Sequence, residues 1–216
     1  RDNALAVSGL LVRKIGGPSV FPFQPEGVWN SPYNQDKWTV SKDGDQFRRG
    51  LYTFWRRTAP YASFMAFDAP SREVICERRP RSNTPVQALV TLNDPAFLVA
   101  ATALAKRLVA EGGKTPAKRL TYAFKCCLSR EPEPKEVREL LELYDQSLKG
   151  FTLNSAAAVA MINVGQPKPA EKKSETKPDN AKAETTIHAP ENAAELAAWT
   201  VIANVLLNLD ETLTKG

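Results

Sequence analysis

Apolar positions recur at helical spacing through most of the second half of the chain. Phe97, Ala101, Leu104 and Leu108 fall three or four residues apart and mark one face of a helix, started by Asn93-Asp94-Pro95 and ended by Gly112-Gly113. Leu120, Phe124 and Cys127 are the inner stripe of a second, begun by Thr115-Pro116. Val137, Leu141, Tyr144 and Leu148 align in a third from about Pro134, with Glu136, Glu139 and Glu142 largely outward. Thr84-Pro85-Val86-Gln87 has capping-box order, with proline at the first helical position, and predicts a short helix ahead of these. A further short helix is expected over 154–164. At the N-terminus, Ala4, Val7, Leu10 and Leu11 share a face, and Gly16-Gly17 supplies a left-handed stop.

The last periodic segment differs in kind. Leu196, Trp199, Ala203 and Leu206 make one stripe and Ile202, Val205 and Leu209 another. A helix apolar on most sides belongs in a core, so 191–214 is predicted to dock back onto the preceding domain. Asn192 and Glu195 repeat the capping-box order at its start.

Between these helices the period is lost twice, for different reasons. Residues 18–82 carry prolines with many rings, among them Trp29, Tyr33, Trp38, Tyr52, Phe54 and Trp55. That is too aromatic for a linker and reads as an ordered loop pinned by its rings, with 51–55 a short helix or strand and 59–81 irregular. Residues 166–190 instead hold four prolines, five lysines, four acids and no aromatic residue. Such a stretch buries too little apolar surface to offset chain ordering and is expected to be a disordered insert. The expected architecture is mostly α, an irregular helical domain over 1–164 with long Pro/aromatic-rich loops and little or no sheet, completed by the C-terminal core helix.

Charge sharpens the picture at one place. The chain carries a formal +5, and residues 48–81 hold eight arginines against three acids, which equals that whole excess. No lysine occurs there. Arginine without lysine favours planar, bidentate pairing over simple solvation. Candidate binding residues are therefore Arg48, Arg49, Arg56, Arg57, Arg72, Arg78, Arg79 and Arg81, with Tyr52 and Trp55 interleaved and Asp68, Asn83 and Asp94 nearby. Such a segment could hold a loop together through forks to carbonyls and carboxylates, or face a ligand. The prolines and apolar steps between the arginines favour the first reading.

The remaining inventory mostly excludes. The one histidine, His188, lies in the insert, which removes His-based metal sites and Ser-His-Asp or Cys-His catalysis. Cys76, Cys126 and Cys127 form no metal spacing or disulfide framework and read as small buried hydrophobes. No Cys-x-x-Cys-His attaches a haem. Nothing reaches the roughly 18 consecutive apolar residues of a membrane span. The start at Arg1, with no initiator Met, is how an excised piece looks.

Several blocks carry a resemblance. They are Arg1-Asp2-Asn3-Ala4-Leu5-Ala6-Val7 with Gly16-Gly17-Pro18-Ser19-Val20; Arg48-Arg49-Gly50-Leu51-Tyr52-Thr53-Phe54-Trp55-Arg56-Arg57; Arg78-Arg79-Pro80-Arg81-Ser82-Asn83-Thr84-Pro85-Val86-Gln87, leading to Asn93-Asp94-Pro95; and Glu195-Leu196-Ala197-Ala198-Trp199. In this order they resemble the uncharacterised C-terminal domain of large planctomycete-type secreted proteins. The resemblance implies export to the periplasm or cell surface. It also implies an upstream cytochrome-c-like domain, on which any haem would sit, and sometimes a carbohydrate-binding one. It implies no catalytic residues and no cofactor in this part, and the long insert departs from its pattern. The expected function is thus a non-catalytic scaffold or interaction module whose partners are upstream domains of the same polypeptide. A carboxylate-based carbohydrate hydrolase, or a binder of acidic polysaccharide or nucleic acid through the Arg/aromatic segment, are the alternatives, with nucleic acid ranked last.

Overall fold

Local chain chemistry starts most of the helices. The computed structural model describes residues 1–24, 27, 29, 37–71, 73–78, 82–164 and 192–214. Among these, nine α-helices form: α1 (Asp2–Val7), α2 (Ala62–Ala66), α3 (Pro85–Asn93), α4 (Pro95–Glu111), α5 (Pro116–Leu128), α6 (Pro134–Leu153), α7 (Ser155–Ile162), α8 (Ala193–Leu207) and α9 (Asp210–Leu213). The protein is mostly α. No strand forms among the described residues, and sheet-like pairing is confined to the isolated parallel bridges Val12–Arg48 and Val20–Thr53.

The caps have physical causes. Thr84 accepts from the Gln87 amide while the Gln87 side chain accepts from the Thr84 amide, so α3 begins with a complete capping box. Asp94 accepts from the Ala96 amide and Thr115 from the Lys118 amide, and each is followed by a proline that needs no amide partner. Two expectations fail. The first helix does not run on to Leu11: Gly9, at φ 80°, turns the chain out, and the amides of Leu10 and Leu11 both fold back to the Leu5 carbonyl. Gly16 and Gly17 do have positive φ, but within a loop rather than at a helix end. At α8, Asn192 makes no side-chain cap, and the Glu195 carboxylate that would complete the box pairs with Arg119 of α5 instead.

α8 is the axis of the core. It packs against α4, α6, α7 and α5, and Ala197, Ala198, Trp199, Ile202, Ala203 and Leu206 are all fully buried. Trp199 lies 4.7 Å from the Tyr144 ring of α6, with the Arg119 guanidinium 5.9 Å above it. Truncating such a buried indole costs about 3–5 kcal/mol. α3 joins this core through polar bonds: Thr91 donates to Asn208, and the Asn204 amide donates to the Leu92 carbonyl at 3.2 Å.

The loop region has its own aromatic cluster. Phe21, Trp29, Trp38, Phe54, Tyr61 and Phe64 meet with ring centroids 5.0–6.0 Å apart, in stacked and edge-on pairs. Their polar ends are satisfied by main chain: Trp29 Nε1 donates to Ala59, Trp38 Nε1 to Pro22 and Tyr61 Oη to Phe23. Burial pushes the Tyr61 phenol up to about 12. Residues 51–55 are a 3₁₀ turn over Gly50–Tyr52 followed by extended chain, and the stretch expected to be irregular holds the five-residue α2. The insert at 166–190, with His188, lies outside the described residues.

Candidate functional site

Arg48 and Arg49 are neighbours on open chain, with ψ of 162° and 144°, but their side chains meet different surroundings. Arg48 points in and is 0% exposed. Its Nη1 donates to the Pro18 carbonyl at 3.3 Å, and its Nη2 to the carbonyls of Lys14, at 3.1 Å, and Gly16. The guanidinium lies 4.0 Å over the Tyr52 ring, and the Tyr52 hydroxyl accepts from the Gly16 amide. The buried charge is thus met by carbonyl dipoles and a π face in place of a carboxylate. This fork shapes the loop 13–18.

Arg49 points out and is exposed. It lines one of two cavities of about 580 Å³ each that share Asp2, Asn3 and Leu51. The first is walled by Trp55, Phe64 and Phe67, with Gly50 at its edge. The second is walled by Leu11, Arg13, Lys14, Ile15, Arg49 and Tyr52. Both Asp2 carboxylate oxygens accept from the Gly50 amide, at 2.8 and 3.0 Å, and tie α1 to the 3₁₀ turn. A Cβ at Gly50 would lie 3.3 Å from the Phe64 ring, tight enough that the ring would have to give by a few tenths of an ångström. Leu51 projects from the shared rim with 74% of its surface exposed.

The other candidates are scattered. Arg56 is half-buried with its guanidinium 4.8 Å over the Trp29 ring. Arg57 is exposed and pairs with Glu73 at 3.0 Å. Arg78 is exposed, and Arg72, Arg79 and Arg81 lie outside the described residues. Trp55 stacks on Phe64 at 5.8 Å. Asn83 donates to Asp210 at 2.7 Å, a link from the start of α3 to α9. Asp68, at φ 49°, accepts from Ser82 at 2.7 Å and from the Gln87 amide group, which holds the turn before α3. Asp94 is engaged as the cap of α4, and burial raises its carboxyl above the usual range against the pull of the Ala96 amide and Arg1. Among the described residues, no group of three or more His, Cys, Asp or Glu side chains is placed to hold a metal ion. Cys127 is buried, but Cys126 is only partly so and Cys76 is exposed, because Cys76 lies in open loop instead of on a packed helix face. Among the described residues, no single helix is long and apolar enough to cross a membrane.

Arg13, Lys14 and Ile15 were not among the residues singled out from sequence. Two cations and an aliphatic residue ahead of a glycine pair read equally well as the basic last turn of a helix, so no local signal marked them. Their meeting with Arg49 depends on the Arg48 fork, which spans 32 and 34 residues to Gly16 and Lys14.

The fold and this site define a helical domain with an open face, lined by cations and exposed aliphatic side chains, beside an arginine-braced loop. The chain belongs to the family described as a protein of unknown function (DUF1553), or PSD1, whose model matches residues 1–144. No curated protein and no solved structure matches it.

Proposed function

We propose that this chain is a non-catalytic interaction module of an exported multidomain protein, docking against a cytochrome-c-like or carbohydrate-binding domain of the same polypeptide. The observation that carries the reading is the pair of cavities meeting at Leu51, an apolar side chain turned outward on a rim that the fold braces with Asp2 and Arg48. Exposed apolar surface rimmed by polar groups is the usual form of a docking face. The acids nearby favour it over hydrolysis, because Asp94 caps a helix and Asp68 holds a turn. Export and the neighbouring domains rest on the resemblance of the sequence blocks.

Hydrogen exchange compared between the 216-residue chain and a longer parent polypeptide tests it. Amides of 1–3, 49–55 and 63–70 are expected to slow in the longer protein. Identical exchange in the two proteins overturns the reading.

A further inference from the structure

We infer that the hollow between loop 13–15 and the 3₁₀ turn binds an acidic peptide segment that carries an aliphatic side chain among its carboxylates. This rests on the interaction-module reading and gives one of its surfaces a chemistry.

The cations come first. Arg13, Lys14 and Arg49 are exposed, line one cavity of about 580 Å³, and take no hydrogen bond or ion pair with their side chains among the described residues. Among the described residues the acid in that wall is Asp2, and both of its oxygens are already bonded to the Gly50 amide. Elsewhere the fold pairs many of its surface arginines: Arg57 with Glu73, Arg107 with Glu111, Arg130 with Glu136 and Glu211. Three unspent cations around one concavity make a positive field that a partner's carboxylates complement.

The exposed aliphatic side chains decide which anion. Ile15 is 90% exposed and Leu51 74%, and Leu11 lines the same wall. Branched aliphatic side chains receive another aliphatic side chain, whereas nucleobases stack on a flat ring face and a sulfated sugar has no aliphatic side chain to offer. The aromatic residue in this wall, Tyr52, has the Arg48 guanidinium over its ring and its hydroxyl bonded to Gly16. Trp55 lines the neighbouring cavity instead. An acidic peptide with an aliphatic anchor meets both features. A sulfated sugar or single-stranded nucleic acid meets only the charge.

The arrangement is also prepared in advance. The Arg48 fork holds the carbonyls of Lys14, Gly16 and Pro18, so the loop presenting Arg13, Lys14 and Ile15 does not have to be ordered by the partner.

The test is fluorescence anisotropy with the full chain and a fluorescein-labelled decapeptide alternating glutamate and leucine. The same peptide with glutamine for glutamate, a heparin-derived hexasaccharide and a thymidine decanucleotide are the comparisons. Binding is expected to weaken about tenfold or more with the glutamine peptide, and likewise in Arg13→Ala/Lys14→Ala/Arg49→Ala and separately in Leu51→Ser. All four positions are exposed, so the melting temperatures should stay with the parent's. Equal affinity for the glutamine peptide, unchanged binding by either variant, or tighter binding of the hexasaccharide or oligonucleotide overturns the proposal. Failure of the peptide while the exchange footprint on 63–70 persists removes the hollow and leaves the docking module. Peptide binding without any footprint does the reverse.

Discussion

A guanidinium with no water around it has to be met by oriented dipoles, and Arg48 finds three of them on one stretch of main chain. The planar fork reaches the carbonyls of Lys14, Gly16 and Pro18 from a single position, with the Tyr52 face beneath it. An ammonium is a point charge and cannot span the three carbonyls in that plane. Arg48→Lys is therefore expected to lose about 2–3 kcal/mol in urea unfolding, since it leaves a buried charge and several carbonyls poorly met. Arg49→Lys, one residue away but exposed, should stay within about 0.5 kcal/mol. Equal effects at the two positions would show that the fork contributes nothing. The run of two arginines is visible in the sequence, but which of them turns inward is not. That is decided by acceptors 30 to 34 residues earlier.

At the scale of elements, Arg130 joins three helices. From the turn after α5 it forks to Glu136 of α6, at 2.7 and 2.8 Å, and to Glu211 of α9, at 2.9 and 3.0 Å, with Phe124 5.1 Å beneath. The Arg130 hydrogen bonds hold the Glu136 carboxyl below its usual value. A depressed carboxyl contributes stability that is complete above its unfolded pKa and lost as pH falls through the folded one. Asp94 has the opposite sign: burial raises it, so its contribution belongs to the protonated form and fades as pH rises through the raised value. Glu136→Gln should thus flatten the acid side of a melting-temperature profile below about pH 4.5, with an effect of about 1 kcal/mol because the pair is a third exposed. An acid limb as steep as the parent's would rule this out. The helix starts were legible because Thr84, Asp94 and Thr115 act on amides two or three residues away. Glu195 misled because its partner, Arg119, is 76 residues distant and no local rule weighs that competition.

The whole molecule closes around a helix that the family match does not reach. The match ends at residue 144, yet α8, at Ala193–Leu207, supplies the centre against which α4 and α6 bury their apolar faces. Those faces include Leu104, Leu108 and Tyr144, and with α8 absent they have nothing equivalent to meet. The apolar stripes on two sides of that helix made its burial readable, while its position between α4, α6 and α7 follows only from the packed structure. A chain ended at residue 164 keeps the caps of α3 to α7 and so retains helical signal, but it lacks the element that makes their packing cooperative. It should melt without a sharp transition and bind a hydrophobic dye, as chains do when collapse outlasts specific packing. A peptide of residues 191–214 added in trans should restore the transition, because α8 contributes contacts rather than chain connectivity. Circular dichroism melts of the shortened chain, alone and with the peptide, measure this directly. A shortened chain that already melts as sharply as the parent would mean that α4 to α7 form a core of their own.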